Sequence, residues 1–191
     1  MRAQAKMLLD IARKVTRLVR TLRSDQRGVS AIEFALFGGM LSVSLLNVVD
    51  LSIYIYQRME LENATQMAAQ AAWKTCDPAQ GYLPATINCP GLTTAITNAV
   101  HSTALGTRVS LQSGSPAENY YCLDSSGTLQ PVAKVTSTKP TDCSAVGMPS
   151  LQPTDYIQVT AVFSYTPLFK GMTVVSILTT PITKTAMMRL D

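Results

Sequence analysis

The sequence is short of the side chains on which most catalysis depends. Its 191 residues hold a single histidine, His101. One imidazole, on a stretch that reads as an amphipathic helix, has a packing or surface role rather than that of a general base. The chain contains no G-x-S-x-G, H-E-x-x-H, P-loop or dinucleotide-binding pattern. Serine and threonine are plentiful, but with one histidine they assemble no triad, so no catalytic residue is expected. No C-x2-C pair occurs either, which argues against a four-cysteine zinc site. Neither a metal nor an organic cofactor is expected. Charge is scarce as well: 15% of residues are charged against 47% hydrophobic, a balance that argues against intrinsic disorder.

The charge that is present is unevenly placed. Residues 1–28 carry eight bases (Arg2, Lys6, Arg13, Lys14, Arg17, Arg20, Arg23, Arg27) against Asp10 and Asp25, whereas the remaining 163 carry eight bases against ten acids. The formal charge of +4 is therefore a +6 leader followed by a −2 body. This arrangement rules out a basic nucleic-acid-binding globule and points to membrane topology instead.

From Val29 to Tyr56 the only charges are Glu33 and Asp50, and the 16 positions between them carry none. As a helix this stretch spans about 42 Å, enough to cross a hydrocarbon core of about 30 Å with tilt. The arginines before it place the N-terminus in the cytoplasm and everything beyond about Arg58 across the membrane. Tyr54 and Tyr56 are expected at the far interface. Within the leader, Met7, Leu8, Ile11, Val15, Leu18 and Leu22 form an apolar stripe of helical spacing. It reads either as a basic amphipathic helix on the anionic leaflet or as a long orienting n-region. A conventional secretory signal does not fit, because the apolar stretch is too long and no A-x-A follows it.

At the start of the apolar stretch the chain reads Arg27-Gly28-Val29-Ser30-Ala31-Ile32-Glu33-Phe34-Ala35-Leu36. A glycine at the cytoplasmic face, four residues, then Glu and an aromatic running into an apolar helix resembles the processing site of type IV-like prepilins. The wording is most similar to the TadE-like pilins of the Tad (Flp) tight-adherence system. The major pilins of that system carry Tyr where this chain has Phe34. The resemblance implies cleavage between Gly28 and Val29 by a prepilin peptidase. It further implies that Glu33, fifth in the mature chain, pairs with the α-amino group of Val29 on another subunit to set axial register, with Phe34 beside it. A carboxylate at the centre of a bilayer costs about 2.5–3.5 kcal/mol and less near the end of a span, so Glu33 wants a partner in any case. Without the leader and Gly28, it would read as a carboxylate snorkelling to the interface, against water or Arg27. The small residues Ala31, Ala35 and Gly39, four apart, allow close helix packing, although Gly38-Gly39 reads equally as a flexible point.

The resemblance implies the following organisation: a basic cytoplasmic leader (1–28), a transmembrane helix (29–57) and a periplasmic pilin-like domain (58–191). The protein would be a minor pilin or pseudopilin of a Tad-type adhesion pilus at the bacterial inner membrane. Its partners would be the prepilin peptidase, other Tad pilins, the assembly platform and the membrane, with no nucleic acid. The alternative is an uncleaved single-pass protein whose periplasmic domain scaffolds an envelope complex or binds a ligand.

Beyond the apolar run, Leu61, Ala64, Thr65, Ala68, Ala72 and Trp73 keep three- and four-residue spacing, so the helix is expected to continue to Thr75 and stop at Cys76-Asp77-Pro78. Leu92 to Val100 reads as a short helix capped by Gly106. Strands are expected at 107–112, 119–123, 129–136 and 155–165, with one or two more in 173–189 interrupted at Pro181. The strand at 155–165 is the clearest, since Ile157, Val159, Ala161, Phe163 and Tyr165 alternate with Gln158, Thr160, Val162 and Ser164. The fold class is α+β, a long helix on a small antiparallel sheet. The segments Tyr165-Thr-Pro-Leu-Phe and Ala186-Met-Met-Arg189 also resemble TadE-like endings. Cys76, Cys89, Cys122 and Cys143 all follow the span, in the compartment where disulfides persist. Three pairings are open. Cys76–Cys89 and Cys122–Cys143 are expected, because each pair flanks a local loop bearing proline or glycine.

Overall fold

The computed structural model describes residues 27–76, 78–178 and 180–191. Residues 1–26 of the leader, including its stripe at 7–22, lie outside the described residues. The chain divides into two compact units, one ending at Val48 and the other running from Val49 to Asp191.

Helix α1 covers Arg27–Thr75 without interruption. Over its first unit it is a bare apolar rod, with Val29, Phe34, Leu36, Phe37, Met40, Leu41 and Leu45 all exposed. No part of its most apolar stretch is buried inside the protein, which separates it from the core helix of a soluble domain. From Asp50 onward the same helix acquires a buried face: Tyr54, Leu61, Ala64, Thr65, Ala68, Ala69 and Ala72 are all enclosed. Trp73 departs from this stripe. It is 53% exposed, whereas Ala72 before it and Cys76 after it are buried.

The second unit is α+β. After α1 come two short helices, α2 (Ala85–Asn88) and α3 (Leu92–Val100). Five strands then follow: β1 (Val109–Leu111), β2 (Ala117–Leu123), β3 (Leu129–Lys134), β4 (Thr154–Phe163) and β5 (Ile182–Arg189). All pairings are antiparallel. β5 pairs over its full length with one edge of β4, from Tyr156↔Arg189 to Phe163↔Ile182. β2 and then β1 share the opposite edge. β3 extends the sheet from β2, with a register shift between Tyr120 and Tyr121. On β4 the alternation is complete: Asp155, Ile157, Val159, Ala161 and Phe163 are buried, and Ile157, Val159, Ala161 and Phe163 join Leu61, Ala68 and Ala72 in one core cluster. The β2–β3 turn is held by Asp124, whose side chain accepts from Ser126 Oγ (2.6 Å) and the Ser126 and Thr128 amides (both 2.9 Å), with Gly127 in the left-handed region. The Ser126 hydroxyl first, then the Thr128 amide and Gln130, bring the Asp124 carboxyl down to about 2.

Two disulfides close local loops, Cys76–Cys89 and Cys122–Cys143, with Cα–Cα distances of 5.6 and 5.7 Å. One expectation needs correction. Gly106 does not cap α3: the helix ends on His101, and Gly106 opens a separate 3-10 turn, Gly106–Arg108, from the left-handed region. Within 173–189 one strand forms, β5, after Pro181, and the Thr/Val/Ile-rich stretch before it holds a 3-10 turn, Val174–Ile177. There the Ser176 hydroxyl and amide both bond the Thr173 carbonyl (2.8 and 3.2 Å), a local bond that competes with sheet pairing. Tyr54 is buried against protein and meets Tyr165 edge to face, with ring centroids 5.3 Å apart.

Candidate functional site

The motif residues fall on the first turns of α1. Gly28 lies just inside the helix start, and Glu33 and Phe34 stand at consecutive positions, both exposed, with Phe34 at 80%. Ala31, Ala35 and Gly39 recur every fourth residue and are also exposed, so they share one uncovered helix face. A Cβ added at Gly38 or Gly39 would meet nothing within 4 Å, so no close approach among the described residues requires either glycine. The polar side chains of the run turn back on their own helix: Ser42 Oγ donates to the Gly38 carbonyl (2.7 Å), Ser44 Oγ to Met40 (2.9 Å) and Asn47 Nδ2 to Val43 (2.8 Å). Side chains satisfied in this way suit a helix surrounded by hydrocarbon, where no water is present to bond them.

The second unit holds a cluster that the sequence reading did not find. Asp50, the lone acid between Glu33 and Arg58, is fully buried. Its Oδ1 accepts from the Tyr165 hydroxyl at 2.5 Å and from the Leu168 amide at 3.1 Å, and its Oδ2 accepts from Thr173 Oγ1 at 2.6 Å. The Tyr165 hydroxyl also lies 3.2 Å from the Asp50 carbonyl. Burial first, then the neighbouring carboxylate, pushes the Tyr165 phenol well above its ordinary range, so it remains a donor. No cation enters this set of contacts. Neutral donors satisfy the carboxylate, the Phe169 amide among them, and together they tie the segment after β4 back onto α1. The signal was present in the sequence: a lone carboxylate at the end of an apolar run requires donors, and Tyr165-Thr-Pro-Leu-Phe supplies three of them.

A second tie joins the same elements further along. Lys184 Nζ on β5 meets Glu62 Oε2 on α1 at 2.7 Å and holds the Glu62 carboxyl below its ordinary value. On β2, buried Glu118 accepts from the Ala85 and Thr86 amides (both 2.7 Å) and from Thr86 Oγ1 (2.5 Å), which caps the start of α2. His101 Nε2 lies 3.2 Å from the Val109 carbonyl, a packing role between α3 and β1. Among the described residues no three His, Cys, Asp or Glu side chains gather as a metal site.

Comparison with protein families gives one match, to the family model described as TadE-like protein, over residues 28–70. The match runs from Gly28 through Asp50 to the buried alanine face of α1. No curated protein and no solved structure matches the chain.

Proposed function

We propose, from the premise that residues 28–70 form a TadE-like segment, that this chain is the precursor of a minor pilin or pseudopilin of a Tad-type pilus. A prepilin peptidase removes residues 1–28 on the cytoplasmic side. Residues 29–57 cross the inner membrane once, and residues 58–191 fold in the periplasm as a structural, non-catalytic domain. The mature helix packs against other Tad pilins and the assembly platform through Ala31, Ala35 and Gly39, while Glu33 pairs with the Val29 amino group of a neighbouring subunit. The pilus serves adhesion, and this subunit acts in its priming or at its tip.

One observation carries the reading. An apolar helix that begins at the Gly28/Glu33-Phe34 motif is unburied over its most apolar stretch and continues into a disulfide-stapled α+β domain. The test is the N-terminal sequence of the membrane-extracted protein co-expressed with the peptidase. Val29 is expected as first residue, and Gly28→Ala is expected to leave the precursor uncut. A mature chain that still begins at Met1 overturns the processing. Glu33→Gln is expected to be processed normally yet to abolish piliation; full piliation would favour an uncleaved envelope scaffold in which Glu33 is incidental.

A further inference from the structure

The loop between β4 and β5 is held down from beneath and apolar on its outside. Thr173 and Val175 are buried, and the Leu168 amide and Thr173 hydroxyl are bonded to Asp50. On the other side Leu168, Met172, Val174 and Ile177 are 62%, 67%, 53% and 83% exposed. Within 165–178 the single charged residue is Lys170, and it is also exposed. Around the bonded turn of α1 the helix presents Val49, Leu51 and Ile55 to the outside as well.

We propose that this loop, residues 167–178, docks on the bilayer. Leu168, Met172 and Ile177 enter the boundary between headgroups and acyl chains, and Lys170 lies against anionic headgroups. The inference rests on the transmembrane reading of 29–57. Asp50 precedes residue 57 by seven positions, about 10 Å along a helix axis. A segment bonded directly to Asp50 is thus held at the depth of the outer interface. Its composition fits that place: apolar side chains settle about 5–10 Å into the interface, and a nearby cation adds attraction to anionic lipid. The same docking explains how a carboxylate can sit within the last turns of a span, since the loop supplies both its donors and its cover from lipid.

The experiment uses tryptophan as a depth probe in the full chain, reconstituted in phosphatidylcholine–phosphatidylglycerol vesicles. Trp73, the only native tryptophan and half exposed, is first replaced by Phe. In that background Ile177→Trp is expected to emit blue-shifted and to be quenched strongly by lipids brominated near the glycerol backbone, and weakly by lipids brominated at the chain ends. Leu168→Trp should behave alike and guards against local misfolding at one site. Val43→Trp reports on the span itself and should be quenched by chain-end bromine. If Val43→Trp is quenched while both loop probes keep aqueous emission, the docking is wrong and the span stands. Loop probes that are blue-shifted but insensitive to bromine mean that protein covers the loop, which also overturns the proposal. An unquenched Val43→Trp overturns the span, and the docking with it.

Discussion

At the scale of single residues, Asp50 and Tyr165 show how a charge in an unpromising place becomes structural. Stripping water from a carboxylate is costly unless donors replace it, and here Tyr165, Leu168 and Thr173 do so at 2.5, 3.1 and 2.6 Å. Tyr165→Phe removes one charge-assisted hydrogen bond while keeping the ring that packs against Tyr54. It should therefore destabilise the domain by about 1.5–3 kcal/mol, read as a lower urea midpoint at unchanged slope in the detergent-solubilised chain. A midpoint equal to that of the parent would mean that the hydroxyl is solvated. Thr173→Val should cost a similar amount by the same mechanism. The Gly28/Glu33-Phe34 motif can be read from the sequence because its spacing is local, from Gly28 to Phe34. The Asp50 cluster was not, because its donors lie more than a hundred residues away, as the Asp50–Tyr165 separation of 115 shows.

At the scale of elements, legibility follows the range of the forces involved. Helix α1 was readable from Val29 to Thr75, since composition and a three/four period act within a turn or two, and β4 was readable because alternation is a property of one strand. Of the one or two strands expected in 173–189, one forms, β5, after Pro181, because β-branched composition favours a strand only where a neighbouring edge accepts it. In the stretch before it Thr173 is bonded to α1 and Val175 is buried, which leaves a 3-10 turn instead. The disulfides act on the same scale. Cys76–Cys89 ties the end of α1 to the residue that closes α2, across a sequence separation of 13. In the chain-entropy account its loss costs about 3 kcal/mol. The double substitution Cys76→Ser, Cys89→Ser should therefore lower stability by about that amount in chemical denaturation. The Cys122–Cys143 pair, with a separation of 21, should contribute slightly more. Equal stabilities of the parent and both double variants would show that the unfolded chain is already constrained at these loops.

At the scale of the whole molecule, residues 29–191 carry eight bases and ten acids, and one of those acids is placed so that the fold works against its ionisation. Asp155, at the start of β4, is 2% exposed, and its Oδ1 has no hydrogen-bond partner among the described residues. Burial first, and then the charges of Glu118 and Asp191, push its carboxyl up to about 8, with Lys139 opposing them. The surrounding clamp spans the domain: the Asp155 amide donates to Asp191 Oδ1 (2.8 Å), the Leu190 amide to the Asp155 carbonyl (2.9 Å) and Lys139 Nζ to Asp191 Oδ2 (2.8 Å). In the folded state Asp155 keeps its proton up to about 8, whereas the unfolded chain releases it near the ordinary value of 3.8. Between those limits the native state binds more protons than the unfolded state, so this group's contribution is full below the lower limit and is lost as pH rises through the window. Stability should accordingly fall from mildly acid to mildly alkaline pH. Asp155→Asn keeps the shape without the titration, and it should flatten that slope and raise stability at the alkaline end relative to the parent. A variant whose stability retains the parent's slope across the window would place the titrating group elsewhere in the molecule.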